Sequence, residues 1–252
     1  MGMYGLSVEG LPMYKHYIFD LYGTLIDLRT NEEKVALWRE LAKFYTYNGA
    51  PYATKELRGA YIERVERALR RIKRVKQTEH PDIEISHLFR DLYRAKGVRP
   101  TQQLTRHTTR LFRALSLDYL RLYEGVAETL NRLKQSGGKL YLLSNGQSEF
   151  SLPEMRHLGI ADLFVGLHFS ADYRVCKPDV AFMQALFRAH DIGATDSVMI
   201  GNDHTTDIEI ARRLEMDAVY IHTNCSHEID KVDCKYQIWD NDFRKLLDFF
   251  DA

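Results

Sequence analysis

The period of the hydrophobic positions changes along the 252-residue chain. Residues 17–19 form a short apolar run that ends on Asp20, and a run too short for a helix predicts a buried strand. Between about 31 and 122 the apolar positions recur every three or four residues, which is the spacing of amphipathic helices. Beyond residue 123, strand-like and helix-like segments alternate. The pattern therefore predicts a mixed core with a helical insertion.

Four helices are predicted within the insertion. The first is expected to start with Asn31 as its N-cap, because two glutamates follow in the first turn. The second begins at about Thr54, and the other two cover about 82–95 and 101–115. The periods between 31 and 122 are helical only, so the insertion is predicted to be all helical.

The segments after residue 123 predict a sheet with helices on both faces. Strands that alternate with helices favour a parallel, doubly wound α/β sheet, to which the strand before Asp20 also belongs. We predict a core domain formed by residues 1–28 and 123–252 and an all-helical domain formed by residues 29–122. The predicted strands are 139–144, 163–169, 197–201, 218–221 and 237–239, and the predicted helices are 126–135, one ending near 158, 179–190, 205–214 and 243–250.

Charge and hydropathy exclude several classes of protein. A chain with 45% hydrophobic residues can bury a core. The sequence contains no run of about 18 apolar residues, so no membrane span is predicted. The 35 basic and 35 acidic residues balance, which gives no general attraction to nucleic acid or to a membrane. Residues 31–122 nevertheless hold 20 basic against 11 acidic residues, a local net charge of +9.

Cysteine usage and the first residues indicate the compartment. The three cysteines cannot all pair with one another, which favours a reducing environment. Residues 1–13 resemble a loose leader without an apolar stretch of signal-peptide length. A cytoplasmic location is therefore expected.

Polar residues that follow the first four predicted strands carry the candidate chemistry, with Lys177 at a longer interval after its strand, because ligands bind at the carboxyl ends of the strands in an open parallel sheet. Three carboxylates that meet there would repel one another without a cation between them, which argues for Mg²⁺ and its oxygen ligands. A lysine there would supply a positive charge, and hydroxyl groups would supply hydrogen-bond donors, to an anionic ligand. In chain order these residues are Asp20, Thr24, Ser144, Asn145, Lys177, Asp203 and Asp207.

The segment 20–25, DLYGTL, resembles the first motif of the haloacid dehalogenase superfamily of hydrolases. The polar residues after the later strands match the other motifs of that superfamily in order, and the insertion falls where the superfamily carries a helical cap over its site. The resemblance implies that Asp20 is a nucleophile. It also implies that Asp20, the main-chain carbonyl of Tyr22 and Asp203 hold Mg²⁺, with Asp207 in support and holding Lys177.

Tyr22 departs from the commoner pattern of that superfamily. Most of its phosphatases have a second Asp there, which protonates the departing alkoxide and is worth roughly 10²–10⁴-fold in rate. A phenol with a reference pKa of about 10 is a poor substitute near neutral pH. Either the leaving group needs no proton, as in the dehalogenase branch, or another acid from the cap serves. Dehalogenases, however, usually have small polar residues in place of Asp203.

Three residues are candidates for contact with the substrate: Tyr22, Gly146 and Arg39. Arg39 is similar to the cap arginine with which dehalogenases hold the substrate carboxylate, although its spacing from the nucleophile is shorter here. A row of arginines at spacings of three and four lies between 64 and 74. Such a row is typical of the solvated side of an amphipathic helix, and attraction of an anionic substrate or of nucleic acid is the alternative.

Together with the expected cytoplasmic location, the resemblance implies a Mg²⁺-dependent phosphatase that acts on a small, anionic, phosphorylated metabolite through an aspartyl-phosphate on Asp20. We expect a monomer or homodimer without nucleic-acid or membrane partners. A first alternative is a 2-haloacid dehalogenase-like hydrolase that forms an aspartyl ester. A second is a catalytically weak protein of the same fold that binds a ligand.

Overall fold

The computed structural model describes residues 14–250, so the predicted leader lies outside the described residues. The strands are β1 (His16–Phe19), β2 (Ile26–Thr30), β3 (Leu117–Leu122), β4 (Lys139–Ser144), β5 (Gly166–Phe169), β6 (Ser197–Gly201), β7 (Asp217–Ile221) and β8 (Tyr236–Ile238). The α-helices are α1 (Val35–Tyr47), α2 (Thr54–Lys76), α3 (Ile85–Ala95), α4 (Gln102–Ser116), α5 (Val126–Gln135), α6 (Ser148–His157), α7 (Ser170–Tyr173), α8 (Val180–His190), α9 (Glu209–Arg213) and α10 (Lys245–Phe250).

A parallel six-stranded sheet forms the core of the described chain, in the order β5-β4-β1-β6-β7-β8. The strand β1 lies at its centre, where Phe19 pairs with Leu142 of β4 on one side and with Ile200 of β6 on the other. The predicted doubly wound α/β fold is confirmed. Because the strands are parallel, the residues after β1, β4 and β6 emerge at one edge of the sheet.

Side chains of β1 alternate between two apolar layers. Tyr17 and Phe19 join the layer that contains α5 and α10, whereas Ile18 joins the layer that contains α8. This alternation follows from the two-residue period of a strand. Both faces of the central strand are buried, which fixes the position of Asp20 at its end.

The helical insert, residues 31–116, has an aromatic centre of its own. Trp38 of α1 lies 5.1 Å from Tyr61 of α2 and 5.7 Å from Phe112 of α4, measured between ring centroids. Phe150 of α6 belongs to the same apolar cluster. The insert therefore packs directly on the sheet domain, beside the turn that follows β4.

A two-stranded antiparallel ribbon, β2 with β3, joins the insert to the sheet domain. The sequence predicts only helices between 31 and 122, whereas Leu117–Leu122 is a strand. The ribbon is short and its burial alternates weakly, so its two-residue period is hard to see beside the preceding helix. The buried Asp27 lies 2.7 Å from the Arg121 guanidinium across the ribbon. The predicted boundary between residues 28 and 29 falls inside β2.

The first helix of the insert begins later than predicted. The Asn31 side chain accepts a hydrogen bond from the Glu33 N–H at 2.8 Å, and α1 begins only at Val35. Asn31 therefore closes a local turn, a common alternative to capping for this residue type.

No helix between residues 14 and 250 is both long enough and apolar enough to cross a lipid bilayer.

Candidate active site

A small cavity of about 170 Å³ opens at the carboxyl edge of the sheet. The loops after β1, β4 and β6 contribute to it, together with the loop that carries Lys177. Its lining consists of Asp20, Tyr22, Asn145, Lys177, Asn202, Asp203, Thr206, Asp207 and Cys225. Most of the residues that the sequence analysis selected are therefore brought together.

Asp20 is held by two side chains. Lys177 Nζ donates to its Oδ1 at 2.6 Å, and Thr24 Oγ1 donates to its Oδ2 at 3.0 Å. The residue is only 7% exposed. Its carboxylate is thus fixed at the wall of the cavity.

Lys177 connects two carboxylates. Besides Asp20, its Nζ donates to Asp207 Oδ1 at 2.7 Å, and the side chains of both partners in that pair are 1% exposed. Burial alone would lower the pKa of Lys177, but the charges of Asp20 and Asp207 outweigh it and raise that pKa. The ammonium group is therefore charged at neutral pH.

Asp207 reaches this position because residue 201 is a glycine. A Cβ at Gly201 would lie 2.2 Å from Asp207 Oδ2, which no real side chain allows. That oxygen accepts the N–H of Asp203 at 3.1 Å. Burial raises the pKa of Asp207, and the neighbouring Lys177 opposes that effect.

Asn145 positions the backbone that carries Lys177. The Lys177 N–H donates to Asn145 Oδ1 at 2.8 Å, and Asn145 Nδ2 donates to the Lys177 carbonyl at 3.2 Å. The neighbouring Ser144 Oγ is buried and has no hydrogen-bond partner in the described chain. Buried hydroxyls without partners are rare and costly, but Ser144 does not line the cavity.

Gly146 and Thr24 contribute in other ways. A Cβ at Gly146 would lie 3.4 Å from both Ser144 Oγ and the Tyr22 ring, so the backbone passes close to both. The Gly146 N–H donates to Ser170 Oγ at 2.9 Å. Thr24 Oγ1 also lies 3.2 Å from Asn202 Oδ1. Neither Thr24 nor Gly146 is part of the cavity lining.

Asp203 serves as a helix cap and also lines the cavity. Its Oδ1 accepts the Thr205 N–H at 2.8 Å and the Thr205 hydroxyl at 2.7 Å, at the start of a π-helical turn that spans His204–Ile208. Burial raises the pKa of Asp203, but these hydrogen bonds and the nearby His227 outweigh burial and lower it. Asp203 is therefore ionised.

The Tyr22 hydroxyl points to a charged pair. It donates to Glu154 Oε2 at 2.5 Å and lies 2.9 Å from Ser151 Oγ. Arg113 of α4 donates to Glu154 Oε1 at 2.6 Å, and its guanidinium lies 5.3 Å from the centre of the Tyr22 ring. Burial first, and then the charge of Glu154, raise the pKa of Tyr22. The phenol stays neutral, and its proton faces Glu154.

Arg39 lies elsewhere. Its side chain is 58% exposed on α1 and pairs with the neighbouring Glu40 at 3.0 Å. It does not line the cavity.

The sequence analysis missed Arg113, Glu154 and Asn202. Arg113 and Glu154 lie on helices, where a single charged residue gives no sign of the partner it will meet. Asn202 stands beside Asp203 directly after β6, so its position at a strand end was the available signal.

Comparison with known proteins gives one family. The sequence model of one family, the haloacid dehalogenase-like hydrolases, matches residues 14–214. The phosphoglycolate phosphatase of Agrobacterium fabrum is 24% identical over 209 residues, which cover 82% of this chain and 80% of that protein.

Solved structures share the fold. The 2-haloacid dehalogenase of Pseudomonas syringae superimposes with a TM-score of 0.64 at 20% identity, over 95% of this chain and 99% of that one. The HAD-hydrolase YfnB of Bacillus subtilis, bound to magnesium, gives a TM-score of 0.55 at 17% identity, over 95% and 100% of the two chains. Phosphatases and dehalogenases thus occur together among the proteins that this chain resembles.

Proposed function

This chain belongs to the haloacid dehalogenase-like hydrolases, and from that premise we propose that it is a Mg²⁺-dependent phosphatase. Its substrate is a small phosphorylated metabolite, and the phosphoryl group passes through a covalent intermediate on Asp20. The phosphoglycolate phosphatase that aligns with most of the chain supports phosphatase chemistry.

The contact between Asp20 and Lys177 is the observation that carries this proposal. A carboxylate at the end of the central strand lies 2.6 Å from a buried ammonium group, at the wall of a cavity of about 170 Å³. The ammonium donates to the Asp20 carboxylate and places a positive charge where a phosphoryl group would arrive. The cavity is smaller than most ligand sites, which span roughly 300–1,000 Å³, so it suits a compact substrate.

The proposed reaction has two displacements. A carboxylate oxygen of Asp20 attacks phosphorus, the new O–P bond forms, and the bond from phosphorus to the leaving oxygen breaks. Water then attacks the phosphorus of the acyl phosphate, which releases inorganic phosphate and restores Asp20. Lys177 balances the phosphoryl charge.

The chain offers suitable donors for Mg²⁺. Asp20 and Asp203 face the same cavity, and Asp207 is already committed to Lys177. No group of three or more His, Cys, Asp or Glu residues between 14 and 250 is arranged to hold a metal. Mg²⁺ needs fewer, because it usually keeps several waters and uses one or two carboxylates. Asp20, Asp203 and the Tyr22 carbonyl would hold the ion, which would neutralise charge on the phosphoryl oxygens.

Millimolar Mg²⁺ is expected to raise the melting temperature of the protein. A ligand that binds only the folded state at a hundredfold excess over its Kd adds about 2.7 kcal/mol, which corresponds to a shift of about 5–10 °C for a chain of this size. Asp203→Asn should lose most of the shift, and asparagine caps a helix as well as aspartate does. The protein is first stripped of metal with EDTA, and its melting temperature is then measured by differential scanning calorimetry without and with added Mg²⁺. Asp172→Asn, outside the cavity, is the control, and an unchanged wild-type melting temperature would contradict the Mg²⁺ site.

A 2-haloacid dehalogenase is the second candidate, and the position of Tyr22 favours it. The Tyr22 proton faces Glu154, so this side chain does not serve a leaving alkoxide. A halide leaves without a proton. In that reaction Asp20 attacks carbon, the carbon–halogen bond breaks, and water hydrolyses the resulting ester.

A substrate panel separates the candidates. Phosphoglycolate, acetyl phosphate, p-nitrophenyl phosphate and 2-chloropropionate are each incubated with the protein in Mg²⁺ and in EDTA, and released phosphate and chloride are measured. We expect phosphate release that requires Mg²⁺, fastest for acetyl phosphate and p-nitrophenyl phosphate because their leaving groups need no proton. Chloride release in EDTA would establish the dehalogenase instead. If none of the four substrates is turned over, the result would favour the alternative of a catalytically weak protein that binds a ligand.

A further inference from the structure

A second, larger cavity of about 760 Å³ lies on the helical insert, between α2 and α3. It shares no lining residue with the cavity at Asp20. Two carboxylates line it, those of Glu84 and Asp91. Six arginines also line it: Arg64, Arg67, Arg71, Arg90, Arg94 and Arg174.

The two carboxylates in this cavity already form ion pairs or hydrogen bonds with neighbouring basic side chains. Asp91 lies 3.8 Å from Arg90 Nε and 3.5 Å from Arg94 Nη1. Glu84 lies 3.0 Å from His87 Nε2. Arg67 pairs with Glu63, which does not line the cavity, so six arginines are matched by three acids and an excess of positive charge remains.

Three of the arginines have no carboxylate partner within the described residues. Arg71 and Arg174 are exposed and form no ion pair there, and Arg64 donates only to the Ala60 carbonyl, at 2.9 Å. In addition, Arg90 Nε is buried and has no hydrogen-bond partner in this part of the chain. Guanidinium groups that line one cavity without counter-charge repel one another, and an anionic ligand would relieve that repulsion.

The distribution of the arginines indicates the shape of the ligand. Arg64 and Arg71 are seven residues apart on α2, which is about 10 Å along the helix axis, and Arg174 belongs to the sheet domain. A chain of linked phosphates could contact all three arginines at once without drawing their side chains together. The cavity volume also falls within the usual range of roughly 300–1,000 Å³ for small-molecule sites. We propose that this cavity binds a small molecule that carries several linked phosphate groups.

Such a ligand would connect the insert to the sheet domain. The Asp82 N–H donates to the Arg174 carbonyl at 3.3 Å, and the Cys176 N–H donates to the His80 carbonyl at 2.9 Å. The loop between α2 and α3 is therefore already paired with the segment that leads to Lys177. A polyphosphate held by α2 and Arg174 would stabilise this junction, and the site does not depend on the reaction at Asp20.

Titration calorimetry with inorganic tripolyphosphate tests the proposal. The whole protein is measured in EDTA at low ionic strength, because salt screens exposed charges. We expect one site per chain, which Arg71→Gln and, separately, Arg174→Gln weaken about tenfold, as expected for one hydrogen bond between charged groups. Arg74→Gln is the matched control: it lies on the same helix, is exposed, forms no ion pair within residues 14–250 and does not line the cavity. It should change the Kd less than twofold.

Three results would overturn the proposal. One is the absence of binding heat in wild type. Another is equal weakening by Arg71→Gln and Arg74→Gln, which would indicate diffuse attraction to the basic side of α2, as for a nucleic-acid backbone. The third is binding that none of these variants changes, which would place tripolyphosphate at another site such as Lys177.

Discussion

Asp20→Asn is expected to abolish turnover of every substrate, by about 10³-fold or more, because an uncharged amide cannot form the covalent intermediate. The amide has nearly the same shape as the carboxylate, and its oxygen can still accept the hydrogen bond from Lys177 or from Thr24. The fold should therefore remain. Steady-state release of phosphate or chloride gives the rate, and circular dichroism with thermal melting checks the structure.

Asp27→Asn is the matched control for that experiment. Asp27 is also buried and lies seven residues further along the chain, but it pairs with Arg121 in the β2–β3 ribbon and does not line the cavity. Its replacement should lower stability and leave kcat within a few-fold of wild type. An Asp20→Asn protein with activity close to wild type would refute the assignment of the nucleophile.

Tyr22→Asp is expected to increase the hydrolysis of alkyl phosphates by roughly 10²–10⁴-fold, since it restores a proton donor beside the leaving oxygen. The gain should be small for acyl phosphates and for p-nitrophenyl phosphate, whose leaving groups depart without a proton. Glu154 loses the Tyr22 hydrogen bond but keeps Arg113 at 2.6 Å, so it remains paired. The measurement is the ratio of kcat/KM, mutant over wild type, across phosphate esters graded by the pKa of the leaving group.

Tyr22→Phe distinguishes the effect of the new carboxyl group on the rate from the effect of losing the tyrosine hydroxyl. It also breaks the hydrogen bond to Glu154 but supplies no acid, so its ratio should not depend on the leaving group. If Tyr22→Asp also gives a flat series, or falls for the poorest leaving groups, position 22 is not a vacant acid position. A dehalogenase predicts no gain on any substrate and a slower turnover of 2-chloropropionate, because halide leaves without a proton and a further carboxylate beside Asp20 adds repulsion.

The sheet could be predicted from the sequence because its signals are local. Each core strand is a short apolar run followed by a polar residue, and parallel order then brings the polar residues to one edge. This reasoning selected Asp20, Lys177, Asp203 and Asp207, which line one cavity. It depended on chain order and not on any contact between particular side chains.

The environment of Tyr22 could not be predicted in that way. Its hydroxyl bonds to Glu154, which is 132 residues away, and Glu154 in turn bonds to Arg113 on the insert. These contacts depend on how α4 packs against α6, and neither helix pattern specifies its partner. The role of Asn145 was equally hidden, because a side chain beside a strand end can face a ligand or, as here, the neighbouring backbone.

The β2–β3 ribbon makes the insert replaceable as a unit. Thr30 pairs with Leu117, so the chain leaves the sheet domain and returns to it at adjacent points. The ends of the inserted loop are already held together, and doubling the length of such a loop costs only about 0.6 kcal/mol in closure entropy. Helices can thus be lengthened, lost or exchanged between these two points while the sheet and Asp20 stay unchanged. The architecture allows the insert to evolve separately from the residues that line the cavity at Asp20, none of which lies between 31 and 116.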